Sequence, residues 1–357
     1  MIVYIIIAVL LFGIIIIVHE LGHFWTAKAF GVKVNEFAIG MGPVLLKKQK
    51  GETMYTVRAF PVGGLCAMEG EDEDSFDPRS FPAQRVWKRF IILVAGSAMN
   101  FLLGLLIIMI IYSGAEAFYT PVLSGFMDGF PFEGEDGLMV GDRIVSIDGE
   151  HIWMYSDVSL FLSRGNGSSY DLVVRRDGKK VRLDDFPLRL REYEYEGQKL
   201  QRYGLIFGTE DAGFFAKLRY SMANSMDFVR FVRLGIFDLL RGNAGVRDLT
   251  GPVGIIGYMT QAGDNSASIR EAAENVLYFA AMIAINISIM NMLPLPALDG
   301  GRIFFMVVTW VIEKLTRRHV NPKYEGYIHA AGLMIFLGLM VFITYSDIVR
   351  LITGSGV

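Results

Sequence analysis

The chain has 357 residues, of which 52% are hydrophobic and 20% charged, with a formal net charge of −3. That balance argues against nucleic acid as a partner and fits a polytopic membrane protein carrying a soluble insert. Its single cysteine, Cys66, excludes an intramolecular disulfide and any cysteine-rich metal site, and reads as an inert small residue.

The run Ile2–Val18 carries no charge and is long enough to enter a bilayer. No basic stretch precedes it and no A-x-A-like cleavage site follows, so it reads as a retained span (transmembrane helix 1, residues 1–30) rather than a signal peptide. At its inner end stands His19-Glu20-Leu21-Gly22-His23. Residues i and i+4 share a helix face, so His19 and His23 can hold one metal ion together, with Glu20 beside it as general base. Ionisable residues at such a depth are a functional-site hypothesis by default.

Residues 31–85 form a loop rich in Lys and Arg, which the positive-inside rule makes cytoplasmic. Within it, Leu45–Gln49 and Met54–Arg58 flank a Lys50-Gly51 turn, as expected of a membrane-associated β-hairpin. Phe60–Leu65 is apolar and breaker-rich and reads as a segment dipping back into the membrane, whereas Glu69–Asp74 reads as a solvated loop. Residues 86–113 form the second span. Residues 115–211 form a β-rich domain in which acidic side chains outnumber basic ones 18 to 11, so the insert is acidic. Its turn signals are Asp148-Gly149 and Asp177-Gly178, with a short helix over Ser156–Ser163. Residues 213–241 place apolar positions three or four apart among basic ones, which reads as an amphipathic helix on the outer membrane surface.

The third span, residues 275–298, ends in Leu298-Asp299-Gly300-Gly301; the fourth covers 329–350. The link between them is basic (Lys314, Arg317, Arg318, Lys323) and reads as cytoplasmic, so the β-rich insert falls on the opposite side. The first and third spans then run parallel. His19 lies roughly 25 Å along the first helix, near the inner edge of a hydrocarbon core of about 30 Å. Pro294 and Pro296 stop the third helix at that depth, and non-helical backbone there must be buried in protein or line a wet cavity. Asp299, on this opened stretch, is the expected third zinc ligand. His151, His319 and His329 lack comparable spacing and read as ordinary polar or interfacial residues.

Together these elements resemble the site-2 intramembrane metalloproteases, and among them the bacterial RseP-type branch. The resemblance rests on HELGH at 19–23, the NxxPxPxLDGG stretch at 291–301, Val94–Asn100 in the second span, a Gly251–Ile255 turn before the third span, and Gly137–Gly149, which looks like a PDZ domain. Ser97 stands where family members often carry proline, and one PDZ-like repeat is visible where some relatives have two. The resemblance implies a polytopic α-helical membrane protein of about four transmembrane helices with an inserted extracytoplasmic PDZ-like domain. It implies a multi-pass protein of the bacterial inner membrane, with the active site near the cytoplasmic side. The implied activity is that of a zinc endopeptidase cutting unwound single-span substrates, such as anti-sigma factors or remnant signal peptides. Asn286 and Asn291 correspond to asparagines of the family's third segment that bind substrate or stabilise the oxyanion, Asn291 being favoured for substrate positioning. Met54, Tyr55, Thr56 and Val57 are expected to offer an edge on which an unwound segment adds as a strand. Membrane lipid is a further partner, and the PDZ-like domain would bind peptide C-termini or act as a size filter. Two other functions compete: a non-proteolytic PDZ membrane scaffold, and a zinc protease of membrane-surface peptides.

Overall fold

The computed structural model describes residues 2–71, 75–195, 197–245, 249–316 and 323–353. The elements run α1 (Ile2–Ala29), β1 (Val34–Lys50), β2 (Thr53–Met68) and α2 (Val86–Ser113), then β3 (Ala117–Phe126), β4 (Arg143–Ile147) and β5 (Glu150–His151). After α3 (Tyr155–Arg164) come β6 (Tyr170–Arg176), β7 (Lys179–Phe186), β8 (Arg191–Tyr195), β9 (Gln198–Arg202) and β10 (Leu205–Asp211). Helices α4 (Phe214–Arg241), α5 (Pro252–Asp264), α6 (Ile269–Asn291), α7 (Asp299–Thr316) and α8 (Lys323–Thr353) follow. The chain divides into two units, Met1–Ile111 with Ser225–Val357, and Tyr112–Asn224. Residues 72–74 of the acidic run, and Arg317, Arg318 and His319, lie outside the described residues.

Among the described residues, four helices, Val3–Ala29, Val86–Ser113, Ile269–Asn291 and Gly326–Arg350, are long and apolar enough to cross a bilayer. Small residues let them approach closely. A Cβ on Gly22 of α1 would overlap the Ala95 carbonyl and lie 2.9 Å from the Gly96 Cα, and a Cβ on Gly104 of α2 would lie 2.9 Å from the Ala281 carbonyl of α6. The Ser288 hydroxyl donates to the Ser97 carbonyl at 2.7 Å, fastening α6 to α2.

Strands β1 and β2 are not a plain hairpin. Residues 44–50 run antiparallel to 53–58 around the expected turn, but both strands then fold back. Residues 36–39 lie between 54–57 on one side and 64–67 on the other. The reversals fall at Gly40 and Gly63, whose φ of 85° and 101° other residues rarely adopt. Cys66 and Phe37 of this sheet pack with Ala27 of α1 and Ile92 of α2 in one core cluster. Burial pushes the Cys66 thiol well above its ordinary range, consistent with an inert residue.

Two helices depart from the sequence reading. A turn is expected at Gly251–Ile255, yet α5 begins there; proline fits a first helical turn, whose N–H groups have no partner inside the helix anyway. An open stretch is expected to carry Asp299, yet Asp299 is the first residue of α7. The interrupted backbone is limited to residues 292–298 between α6 and α7.

The second unit is a sheet in the order β10-β3-β4-β6-β7, with β5 paired to β4 and a separate β8–β9 hairpin. Ile144, Ile147, Leu172 and Val174 of the sheet and Val158 and Phe161 of α3 form its buried interior. Asp148 and Asp177 adopt φ of 49° ahead of Gly149 and Gly178 at 82° and 79°, the paired left-handed conformation that a two-residue hairpin needs. Arg176 forks onto Asp142 at 2.7 and 2.9 Å and also donates to the carbonyls of Glu135 and Gly137, pinning the acidic loop.

Candidate metal centre

The site begins with helix periodicity. His19 and His23 lie one turn apart on α1, buried, with their Nε2 atoms 3.1 Å from each other. His23 Nδ1 donates to the Ile92 carbonyl of α2 at 2.8 Å, which in the neutral ring leaves Nε2 with a free lone pair. Asp299 Oδ2 reaches the same point from α7, 3.1 Å from His19 Nε2 and 3.4 Å from His23 Nε2. Among the described residues these three form a group able to hold a metal ion, one ligand atom from each lying within 4.8 Å of the others.

The donor set fits a divalent cation. Ligands about 2.0–2.2 Å from a tetrahedral zinc stand about 3.3 Å apart, the spacing found here. Asp299 Oδ2 is buried and faces the Nε2 atoms of both histidines, so three acceptor atoms converge on one point, an arrangement that a shared cation satisfies. The cradle is completed by Gly96, where a Cβ would collide with His23 Nε2 and come 2.7 Å from His19 Cε1. Only glycine lets α2 pass behind both imidazoles.

Glu20 lies close enough to His23, His19 and Asp299 to feel all three electrostatically. Its Cγ stands 2.8 Å from where a Cβ on Gly64 would be, so the 64–67 strand passes directly beside the carboxylate-bearing side chain. Asn291, the last residue of α6, brings Nδ2 to 3.5 Å from His19 Nε2. Asn286 is not joined to this group: five residues earlier on the helix it faces roughly 140° away, and its buried Oδ1 has no hydrogen-bond partner.

Met54, Tyr55, Thr56 and Val57 do not form an open edge. Their strand is paired on both sides, by 46–49 and by 36–39. The Tyr55 ring packs 6.0 Å from that of Phe24, and Thr56 donates to Glu36 at 2.6 Å. Local alternation predicts a hairpin but cannot reveal that the chain folds back to cover its second side. Among the described pairings, the 64–67 segment beside Glu20 is bonded on one side only. The adjacent Gly63-Gly64 was the available signal. Arg302, three residues past Asp299, pairs with Glu71 just beyond β2, a contact with no sequence signature.

The geometry fits a class: a membrane-spanning protein with two histidines and one carboxylate able to hold a metal ion beside a glutamate, as in a metallopeptidase. The sequence profile of peptidase family M50 matches residues 7–339, and the chain belongs to that family of site-2 metalloendopeptidases. A Clostridium acetobutylicum protein provisionally named a zinc metalloprotease is 32% identical over 348 residues, covering 97% of both chains. A similarly named Clostridium perfringens protein is 33% identical, covering 97% of this chain and 98% of its own. The regulator of sigma-W protease RasP of Bacillus subtilis is 27% identical, covering 96% and 97%.

Proposed function

We propose that this zinc metallopeptidase cleaves single-span membrane substrates after part of their span has unwound. The observation that carries the reading is the convergence of His19, His23 and Asp299 beside Glu20, on a helix apolar enough to span a bilayer. His19 and His23 through Nε2, and Asp299 through Oδ2, would hold the zinc. When bound, zinc supplies Lewis acidity, lowering the pKa of water in its open position and polarising the scissile carbonyl. Glu20 accepts the proton of the attacking water and returns it to the leaving amine. Asn291 orients the substrate backbone or stabilises the developing oxyanion.

A transmembrane helix hides its peptide bonds, so the substrate must become extended before attack. The singly bonded 64–67 strand supports addition of an extended segment beside Glu20. Basic residues around β1 and β2 support a cytoplasmic placement of the site, with the β-rich unit on the other side of a bacterial inner membrane. In that unit β10 pairs with β3 alone among the described strands, and Tyr155 of α3 faces Phe207 of β10 at 5.0 Å. An edge strand beside a helix suits a PDZ-like receptor that adds a peptide C-terminus as a further strand. The name of the Bacillus subtilis relative supports substrates that restrain a sigma factor.

The test is cleavage of a co-expressed single-span reporter and of the same peptide made soluble, by wild type and Glu20→Gln. Cutting of the spanning reporter alone, abolished in Glu20→Gln with zinc retained, is the expected result. Equal processing of the soluble peptide would favour a surface protease, and identical behaviour of the two proteins a scaffold.

A further inference from the structure

The two histidines are fixed by a regular helix, but Asp299 follows seven residues of non-helical chain. Two positions before it, Ala297 has φ of 74°. Among the described residues it is the one side-chain-bearing residue with positive φ that is not an aspartate. Alanine is rarely found there because Cβ crowds the backbone, and such a conformation persists only where its surroundings impose it. The surroundings come from α8. The Ala297 N–H donates to His329 Nδ1 at 2.9 Å. One turn along α8, Gly332 packs so closely on Pro296 that any Cβ there would overlap the proline ring. The Phe305 ring of α7 also packs on the His329 imidazole, edge-on, with centroids 5.4 Å apart.

We propose that His329 is a positioning residue for the metal centre. By accepting the Ala297 N–H it stabilises the left-handed turn that starts α7 with the Asp299 carboxylate aimed at His19 and His23. Sequence inspection gives His329 no role, because its partner is a backbone N–H of another element. The inference rests on Asp299 being a metal ligand. His329 itself stays off the metal: its ring meets the chain two residues before the ligand and acts through the backbone. An acceptor of the same reach should therefore replace it. Asparagine supplies one, since its Oδ1 sits close to the place of the histidine Nδ1.

The experiment measures zinc affinity of the purified full-length protein by competition with a chelator, for wild type, Asp299→Ala, His329→Ala, His329→Asn and the double variant His329→Ala with Ala297→Gly. Losing an outer partner of this kind weakens metal binding about 10- to 100-fold. His329→Ala should fall in that range, His329→Asn should recover most of the loss, and glycine at 297 should recover part of it by removing the strain. kcat should fall in His329→Ala while KM for the reporter holds. If His329→Ala binds zinc like wild type while Asp299→Ala does not, the inference fails and the metal reading stands. If neither His329→Asn nor the added glycine recovers affinity, His329 is a packing residue and the inference fails. If Asp299→Ala binds zinc normally, the metal reading itself falls, and the inference with it.

Discussion

Two stretches of chain supply the candidate metal centre, and they are built on opposite principles. On α1 the candidate ligands are placed mainly by helix geometry: His19 and His23 stand one turn apart, His23 is oriented by the Ile92 carbonyl, and Gly22 and Gly96 let α2 approach closely. Between α6 and α7 nothing is regular. Asp299 is delivered by a proline-interrupted segment with a strained Ala297, tied to its neighbours by His329 and by the Arg302–Glu71 pair. A site assembled this way has one side that packing keeps in place and another that specific contacts must hold. The helical side therefore tolerates little change of volume, whereas the aspartate side depends more heavily on polar partners.

The largest expected effect is on the helical side. Glu20→Gln should retain zinc and lower kcat by about 10²–10⁴-fold, the usual contribution of a positioned proton acceptor. Zinc analysis and reporter cleavage on the same preparation check it. Next comes Gly96→Ala. Its methyl group collides with the His23 imidazole, and overpacking of about 1–3 kcal/mol should appear as lost zinc as well as a lower melting temperature. Gly64→Ala should act more gently: displacing the Glu20 side chain lowers kcat about 10-fold with zinc unchanged. An equal loss of zinc there would break the distinction between ligand placement and base placement.

The legibility of the two stretches differs for the same reason. The shared face of His19 and His23 can be read from sequence because the i, i+4 spacing is local. The apolar runs of the four candidate spans are equally plain. The arrival of Asp299 at the histidines can be anticipated from depth, but not that it opens α7 or that His329 holds the turn before it. Those features depend on contacts between α7, α8 and the loop past β2, which no periodicity encodes. The β1–β2 sheet is a similar case. The 44–58 hairpin follows from alternation and a glycine turn, but the pairing of 36–39 with 54–57 is set by the fold-back at Gly40. That second pairing moves the open edge from Met54–Val57 to the strand at Gly64.

Smaller effects belong to the polar ties. Arg302→Met leaves the largely buried Glu71 carboxylate without its ion-pair partner, and since Arg302 is partly exposed the stability loss should be about 1 kcal/mol. Thermal unfolding of the purified protein measures it. The smallest effect concerns Glu69, which binds Lys33 at 2.8 Å at the end of β2. Hydrogen bonds from Lys33, Ser75 and Asn35 lower its pKa to about 2. A depressed carboxylate stabilises the fold above its unfolded pKa and ceases to do so as pH falls through the folded one. Its contribution should therefore be complete above about pH 4–5 and fade toward pH 2. Glu69→Gln should flatten acid unfolding over that window and leave cleavage at neutral pH unchanged.

In the proposed function, one ion is held jointly by the helical and the irregular stretch. The most direct measurement is zinc-edge X-ray absorption on the full-length protein, wild type and Asp299→Ala. Wild type should show two imidazole nitrogens and light oxygen ligands at about 2.0–2.2 Å. Asp299→Ala should bind zinc more weakly and lose one of the oxygen ligands. An unchanged spectrum and affinity in the variant would contradict the account.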